Sequence, residues 1–173
     1  VYKRQGLLFV QVAKRSGAGK VMVIDLVDKR LEKAEKLGAD VVINPSSENP
    51  IERVRKETEG YGADVVIEAV GLPQTWMQAL KMVCKGGRVL EFGGTPPGTK
   101  IEVETELLHY GEITLMGAFH ATPQEFALAL KLIADRVINV RELITRRMPL
   151  TELNKAFEIL TTSKEDIKIA IIP

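Results

Sequence analysis

Cysteine is almost absent from this sequence, and so are long apolar stretches. The single cysteine, Cys84, excludes a disulfide framework and a cysteine-rich zinc cluster, which is typical of a protein from a reducing, cytosolic setting. No apolar run approaches the roughly 18 residues that a membrane span needs, and no signal-peptide pattern is present. The formal net charge is only +1, so neither nucleic acid nor an anionic membrane is favoured as a partner.

Short apolar runs alternate along the chain with longer amphipathic stretches, which is the pattern of βαβ units. The runs are continuously apolar, so we expect strands covered on both faces in a doubly wound parallel α/β sheet, as in a Rossmann fold. The predicted strands are 20–26, 40–43, 63–70, 88–92, 112–119 and 167–172. The predicted helices are 6–15, 28–37, 50–58, 73–84, 122–134 and 150–160.

Local signals predict several helix ends. Asp28 is expected to cap the second helix and Gly38 to follow its end. Pro50 is expected at the first position of the third helix, and Gly86-Gly87 is expected to stop the fourth. The character of the sequence changes after Phe119, so we expect a dinucleotide-binding domain over residues 1–119 and a separate C-terminal segment over residues 120–173.

The start of the sequence lacks the buried first strand that a doubly wound sheet needs. Residues 1–5 (VYKRQ) contain two cations and an amide, which are costly to bury, and no initiator methionine is present. We therefore expect an N-terminally truncated sequence, whose fold lacks most of its first strand, and hypothesise that residues 1–5 are not native to it.

Asp25 carries the most informative signal. It follows the apolar run of residues 21–24 and lies nineteen positions after Gly6, which is expected to open a helix. About 20 residues separate the last glycine of a G-x-G-x-x-G loop from the acid that binds ribose. The carboxylate would accept hydrogen bonds from both ribose hydroxyls and repel a 2′-phosphate, which predicts NAD over NADP. The helix start at Gly6 would face the pyrophosphate.

The order and spacing of several segments resemble the coenzyme-binding part of the medium-chain, zinc-dependent alcohol dehydrogenases, and the sorbitol and polyol dehydrogenases in particular. The resemblance covers Gly6 to Pro173. The segments are VMVIDLVDKRLEKAEKLGADVVIN, GADVVIEAVG, CKGGRVLEFGG, ITLMGAF and LITRRMPLTELNKAFEIL.

This resemblance implies roles for further residues. Asp25 resembles the ribose acid of the family, and Arg30 resembles the basic residue beside the adenosine ribose. Val70 and Gly71 resemble the backbone beneath the adenine side and the ribose. Three residues resemble the segment that approaches the nicotinamide, although a simple turn would also use such glycines: Phe92, Gly93 and Gly94.

The segment Ala118-Phe119-His120 resembles the one whose backbone binds the carboxamide. His120 is the candidate substrate residue, because it stands where sorbitol-type enzymes often have an arginine that faces the substrate; a histidine at this position departs from the family pattern. Glu68 is unusual for a different reason, because it lies inside an apolar strand. A buried carboxylate needs a partner, so Glu68 should either bind backbone or face the crevice.

The family oxidises an alcohol by hydride transfer to NAD, with zinc acting as a Lewis acid. Catalytic zinc needs about three protein ligands, and one cysteine and two histidines without ligand spacing cannot supply them. The resemblance implies that the ligands belong to an N-terminal domain. We therefore predict the coenzyme-binding part of an NAD-dependent alcohol or polyol oxidoreductase that has no catalytic residue, binds no metal and is inactive by itself.

Three alternatives remain open. A zinc-free quinone or enoyl reductase would prefer NADPH, against which Asp25 argues. A methyltransferase also uses an acid at a strand end, but its fold closes with an antiparallel hairpin. A non-catalytic fragment could form a homo-oligomer through the strand of residues 112–119, because an apolar edge strand invites pairing.

Overall fold

The computed structural model describes residues 3–163 and 165–173. Val1 and Tyr2, which belong to the segment 1–5 that we hypothesise is not native, lie outside the described residues. The helices are α1 (Lys3–Arg15), α2 (Asp28–Lys36), α3 (Pro50–Glu57), α4 (Pro73–Met82), α5 (Thr105–His109), α6 (Pro123–Ala134) and α7 (Leu153–Thr162). The strands are β1 (Met22–Ile24), β2 (Val41–Ile43), β3 (Ala63–Glu68), β4 (Val83–Glu91), β5 (Thr114–Gly117), β6 (Ile144–Pro149) and β7 (Lys168–Ile172). Short 3-10 helices precede β6 and α7.

Every pair of described strands is parallel. The strands form three separate sheets, with the orders β1-β2, β3-β4-β5 and β6-β7. Parallel neighbours need crossover connections, and helices supply them here between β1 and β2, between β3 and β4, and between β4 and β5. The predicted α/β class with parallel sheets is therefore confirmed.

The chain divides into two compact units. The middle unit contains residues 47–120, and the flanking unit contains residues 3–46 together with 121–173. The core of the middle unit is a cluster of fully buried side chains from α4 and β4: Ala79, Leu80, Val83 and Val89. The flanking unit has one cluster around α1 and α2 and a second around β6, α7 and β7.

Several predicted helix signals are confirmed. Pro50 occupies the first turn of α3, and the side chain of Asn49 caps that helix by accepting hydrogen bonds from the backbone N–H groups of Ile51 and Glu52. Gly38 follows α2 with a φ of +109°, a left-handed conformation that glycine adopts without strain.

Other predicted boundaries are wrong. The first helix begins at Lys3, so Gly6 lies inside α1 and does not open it; lysine, arginine and glutamine before Gly6 all favour helix. The cap of α2 is Val27 in an extended conformation, and Asp28 is already the first helical residue. There its charge complements the positive end of the helix dipole.

The fourth helix ends at Met82, earlier than the predicted stop at Gly86-Gly87, and these glycines lie inside β4. The physical reason is the extended backbone of Val83, which begins β4 immediately after the helix. The Nη2 of Arg55 on α3 donates to the carbonyls of Lys81 at 3.0 Å and Val83 at 3.1 Å. Arg55 thereby fixes the point at which helix changes to strand.

The sequence patterns missed the helix α5 and the strand β6, and they made the fifth strand too long. That strand covers only Thr114–Gly117, so Ala118 and Phe119 lie beyond its end. β5 is an edge strand of its sheet, and all its residues are exposed. The helix α6 has no buried residue, and it exposes Phe126, Leu128 and Leu130. Within the described residues, no helix is long and apolar enough to cross a membrane.

We expect Arg55→Lys to lower the free energy of unfolding of the middle unit by about 1–3 kcal/mol. The guanidinium of Arg55 also donates to the carbonyls of Gly60 and Tyr61, and a lysine ammonium cannot reach four carbonyls in this fork geometry. Urea unfolding measures the loss. Arg53→Lys on the same helix is the control, because a lysine there can keep an ion pair with Glu48 or Glu57. Equal losses in the two variants would contradict the role of Arg55.

Candidate functional site

The residues predicted to bind the coenzyme fall into two groups. Gly6, Asp25 and Arg30 belong to the flanking unit. The second group belongs to the middle unit and follows the carboxyl ends of its three parallel strands: Val70, Gly71, Phe92, Gly93, Gly94, Ala118 and Phe119, followed directly by His120, the predicted substrate residue. Ligands of open parallel sheets bind outside these strand ends, so the middle-unit residues lie at the edge of the sheet where a ligand is expected.

Asp25 lies directly after β1, and the structure pairs it with Arg30. The guanidinium Nη1 of Arg30 is 3.2 Å from Asp25 Oδ1 and 3.3 Å from Oδ2. Oδ1 also accepts a hydrogen bond from the backbone N–H of Val27 at 2.9 Å. The Asp25 side chain is 25% exposed and that of Arg30 only 11%. The carboxylate is therefore held in one orientation by α2 while part of it still faces solvent.

Gly6 does not show the close packing for which a third loop glycine is used. A Cβ atom added at Gly6 would meet no described atom within 4 Å. In a dinucleotide-binding loop the third glycine allows close packing of helix against strand, and no such contact is seen at Gly6 among the described residues. Its predicted role beside the pyrophosphate stays a prediction.

Glu68, the last residue of β3, joins two of the predicted coenzyme segments. Its carboxylate accepts hydrogen bonds from the backbone N–H groups of Val70 at 2.7 Å and Gly71 at 3.0 Å. Its main-chain carbonyl accepts from the N–H groups of Phe92 at 3.0 Å and Gly93 at 2.9 Å. Glu68 is only 5% exposed, so the expectation that this carboxylate binds backbone is confirmed, and one residue fixes both turns.

The two turns also touch each other through glycine. Gly71 has a φ of +83°, and an added Cβ there would lie 2.5 Å from the carbonyl oxygen of Gly94. A Cβ at Gly93 would meet the backbone N of Gly71 and would lie 2.5 Å from Glu68 Oε2. Contact between two backbones thus demands glycine at both positions, independently of any ligand.

Two side chains of α4, neither of which sequence reasoning identified as part of the site, support these turns. The indole Nε1–H of Trp76 donates to the carbonyl of Gly93 at 2.9 Å. The hydroxyl of Thr75 donates to Glu68 Oε1 at 2.7 Å. Neither contact has a signal in the sequence, because both depend on how α4 packs across the ends of β3 and β4.

The segment after β5 is the most exposed of the predicted site. Ala118, Phe119 and His120 are all exposed, and Phe119 is 88% exposed. His120 has a φ of +65°, a left-handed conformation that is uncommon outside glycine. The rings of Phe119 and His120 pack together with centroids 3.8 Å apart.

Glu91 was missed, although it carries the same signal as Glu68, a carboxylate in an apolar strand. It is the cross-strand register partner of Glu68 and is equally buried, at 5% exposure. Neither of its carboxylate oxygens has a hydrogen-bond partner among the described residues. Burial, and secondarily the charge of Glu68, raises the pKa of Glu91 to about 8.

The other chemical candidates do not form a site in the described ranges. No group of three or more His, Cys, Asp and Glu side chains within residues 3–163 and 165–173 could hold a metal ion. The residues present therefore do not fit a catalytic zinc. A cavity of about 270 Å³ in the flanking unit has no predicted coenzyme residue in its lining, which is formed by Gln11, Lys14, Arg15, Leu37, Gly38 and Val137.

Comparison with known proteins decides the family. The model of the zinc-binding dehydrogenases matches residues 6–142. The chain belongs to the zinc-binding dehydrogenase family. Its parallel α/β fold matches the Rossmann-like coenzyme-binding domain of such dehydrogenases, which confirms the predicted fold class.

Curated relatives include L-threonine 3-dehydrogenase from Symbiobacterium thermophilum, which is 36% identical over 97% of this chain and 48% of the relative. Erythritol/L-threitol dehydrogenase from Mycolicibacterium smegmatis is 32% identical over 97% of this chain and 46% of the relative. Sorbitol dehydrogenase from Bacillus subtilis is 30% identical, with 97% and 47% covered. The chain spans about half the length of the curated relatives it matches.

Solved structures agree with this membership. A protein from Sinorhizobium meliloti described as a zinc-binding dehydrogenase, and bound to NADP, has a TM-score of 0.89 and 29% identity over 96% of this chain and 49% of its own. An alcohol dehydrogenase from Thermus sp. ATN1 has a TM-score of 0.87 and 32% identity, with 96% and 48% covered. Family membership and the parallel pairing of all described strands exclude the methyltransferase alternative with its antiparallel hairpin.

Gly71→Ala should lower the free energy of unfolding by at least about 2 kcal/mol more than Gly98→Ala does. Both glycines have φ near +83°, so both substitutions carry the same backbone strain of about 1 kcal/mol. Only at Gly71 does the new Cβ collide with the carbonyl of Gly94, because nothing lies within 4 Å of the position at Gly98. Chemical denaturation of the two variants measures the difference, and equal losses would show that the two turns do not touch.

Proposed function

We propose that this chain is the coenzyme-binding part of an NAD-dependent oxidoreductase that transfers hydride from a secondary alcohol or polyol to NAD. Membership of the zinc-binding dehydrogenases supports oxidoreductase chemistry, and the names of the relatives include sorbitol, erythritol and threonine dehydrogenases. The single observation that carries the proposal is the orientation of Asp25 by Arg30 at the end of β1.

The geometry at Asp25 fits an adenosine ribose. A carboxylate at this point can accept hydrogen bonds from the 2′- and 3′-hydroxyls, and a dinucleotide-binding acid does the same. Oδ1 already binds the N–H of Val27 and the guanidinium of Arg30, whereas the partly exposed carboxylate retains further acceptor capacity. The ribose would therefore bind to a carboxylate that is already in place.

The same geometry supports NAD over NADP. A 2′-phosphate beside Asp25 would bring two anions together, which costs affinity. Arg30 is the nearby cation that could offset this cost, but its guanidinium is already paired with Asp25. The relative from Sinorhizobium meliloti is bound to NADP, so this fold also accommodates NADP, and the preference for NAD rests on Asp25.

The other residues that the family resemblance assigns to the coenzyme belong to the middle unit. In the proposal, Val70 and Gly71 lie beneath the adenosine side, and the turn of Phe92, Gly93 and Gly94 approaches the nicotinamide. When bound, NAD would accept the hydride of the carbinol carbon. The segment Ala118-Phe119 would bind the carboxamide through its backbone, and the exposed His120 would face the substrate.

Zinc chemistry would come from outside the described residues, because these residues do not fit a catalytic zinc. We propose that the chain alone does not oxidise alcohols and that residues 120–173 return to a catalytic domain in the full-length parent. Alcohol-dependent formation of NADH by the purified chain would contradict this part of the proposal. A cytosolic setting belongs to the proposal as well and rests on the single cysteine.

A second candidate function is self-association through β5. Among the described strands β5 lies at the edge of its sheet, and its residues Leu115 and Met116 are 38% and 42% exposed. An apolar edge strand is a template for pairing with another strand. We therefore propose a homo-oligomer in which β5 pairs with β5 of a second copy.

Asp25→Ala should weaken NADH binding by about 10- to 100-fold, because hydrogen bonds to a charged group contribute about 1.5–3 kcal/mol. NADPH binding should weaken less or improve, since the variant removes the repulsion of the 2′-phosphate. Fluorescence titration of wild type and variant with both reduced coenzymes measures the change in preference.

Asp28→Ala is the matched control for Asp25→Ala. Asp28 lies three residues further along, in the first turn of α2, and its carboxylate accepts from the Nδ2–H of Asn44 at 2.6 Å. This variant should keep the preference of wild type for NADH. A wild type that binds NADPH as tightly as NADH would sink the NAD proposal and favour the zinc-free reductase alternative.

Met116→Lys should shift the chain from dimer to monomer, because a lysine on an edge strand opposes pairing. Sedimentation velocity over a range of concentrations measures the change. Val65→Lys on β3, the other edge strand of the same sheet, is the control and should leave the dimer intact. A wild type that sediments as a monomer at every concentration would end this second proposal.

A further inference from the structure

Glu91 is a buried acid whose carboxylate has no hydrogen-bond donor among the described residues. It lies at the end of β4 on the same side as the fully buried Val89, two residues earlier. Its cross-strand partner is another carboxylate, Glu68. Since neither oxygen of Glu91 meets a donor among the described residues, ionisation would place a bare anion in the core, which is costly.

Glu68 does not offset a charge on Glu91, because both carboxylate oxygens of Glu68 already accept hydrogen bonds from other groups. Oε1 accepts from Val70, Gly71 and Thr75, and Oε2 accepts from Gly71. All these partners are donors, and they take up the acceptor sites of this carboxylate. Of the two acids, Glu68 is the one with hydrogen-bond donors, and Glu91 is the one without a donor among the described residues, on which a proton can rest.

The other charged groups near β4 lie away from Glu91. β5 carries no titratable side chain, and the only one on α4 is Lys81, beside the start of β4. Asp64 on β3 lies at the register shift between Ala63 and Val65, near that start, and it accepts a hydrogen bond from Cys84 Sγ. On β4 itself, Lys85 and Arg88 precede Glu91 and are exposed; the titratable residues of α5, Glu106 and His109, are exposed too.

We propose that Glu91 is a positioning residue: it carries a proton at neutral pH and, by staying neutral, allows Glu68 to hold the Val70-Gly71 and Phe92-Gly93 turns together. Loss of that proton places a second negative charge beside Glu68 and loosens both turns. What binds to this pair of acids is thus a proton, and release of the proton weakens coenzyme binding. The effect on coenzyme binding rests on the proposed function, whereas the protonation of Glu91 and its effect on the two turns do not.

The direction of the pH dependence follows from the folded and unfolded pKa values. Burial raises the pKa of Glu91 from about 4.5 to about 8, so the folded chain keeps a proton that the unfolded chain loses. The stabilisation is complete below pH 4.5 and is lost as pH rises toward 8. Relative to Glu91→Gln, the folding equilibrium constant of wild type should fall about tenfold per pH unit in this window and level off above it.

Three measurements test the inference on the whole chain. The infrared spectrum of wild type at pH 7 should contain the carbonyl band of a protonated carboxylic acid, which Glu91→Gln lacks and which disappears above about pH 8. The backbone amide NMR signals of Val70, Gly71, Phe92 and Gly93 should shift with the same midpoint as this band. Glu102→Gln, at an exposed glutamate of the same unit, should keep both the band and the shifts.

Coenzyme binding supplies the third readout. If the ionised form does not bind, wild type should bind NADH about tenfold more weakly at pH 9 than at pH 7, because only about a tenth of the chain then keeps the proton. Glu91→Gln should lose much less over the same range, since its amide mimics the neutral acid. Rescue by glutamine at high pH is a result that a merely structural role for Glu91 would not produce.

The outcomes separate this inference from the proposed function. Absence of the protonated band, or stability curves of wild type and Glu91→Gln that run parallel, would overturn it. A band without matching amide shifts would overturn the positioning role. If neither wild type nor Glu91→Gln binds NADH at any pH, the proposed function fails. The carboxylic acid band and the amide shifts of wild type do not depend on coenzyme, so they still decide whether Glu91 is protonated and positions the two turns.

Discussion

The middle unit depends on the hydrogen bonds of one buried carboxylate. Glu68 ends β3, and it must find donors because a buried anion without them would destabilise the fold. It finds them in the N–H groups of Val70 and Gly71 and in the hydroxyl of Thr75, while its carbonyl binds the turn after β4. The hydrogen bonds of Glu68 thereby set the shape of two turns and the position of α4.

Sequence patterns predicted the parts of this fold that depend on local composition. Continuous apolar runs identified six of the seven strands that the structure describes, and they indicated parallel pairing because such runs are covered on both faces. Pro50 and Gly38 marked helix ends correctly because their φ preferences are intrinsic to the residue. The acid after the first strand was identified by spacing, and the structure shows it paired with Arg30.

The rest depends on contacts between distant residues, which periodicity does not contain. The strand β6 was missed because its sequence, ITRRMP, has three consecutive polar residues and therefore no continuous apolar run; among the described strands it pairs with β7. The fourth helix ends early because Val83 is extended and begins β4 directly after Met82, and Arg55, from another helix, binds the carbonyls of Lys81 and Val83 at this point. Glu91 went unnoticed although its pattern matches that of Glu68, since only the register of β3 and β4 places the two acids side by side.

The contact between Gly71 and Gly93 limits how this surface can be redesigned. A library that varies the proposed coenzyme surface would gain nothing by including either glycine, since an added Cβ meets backbone at both positions. Val70, which adjoins this contact, is 52% exposed. Directed evolution of the middle unit should therefore keep the two glycines and vary exposed positions such as Val70.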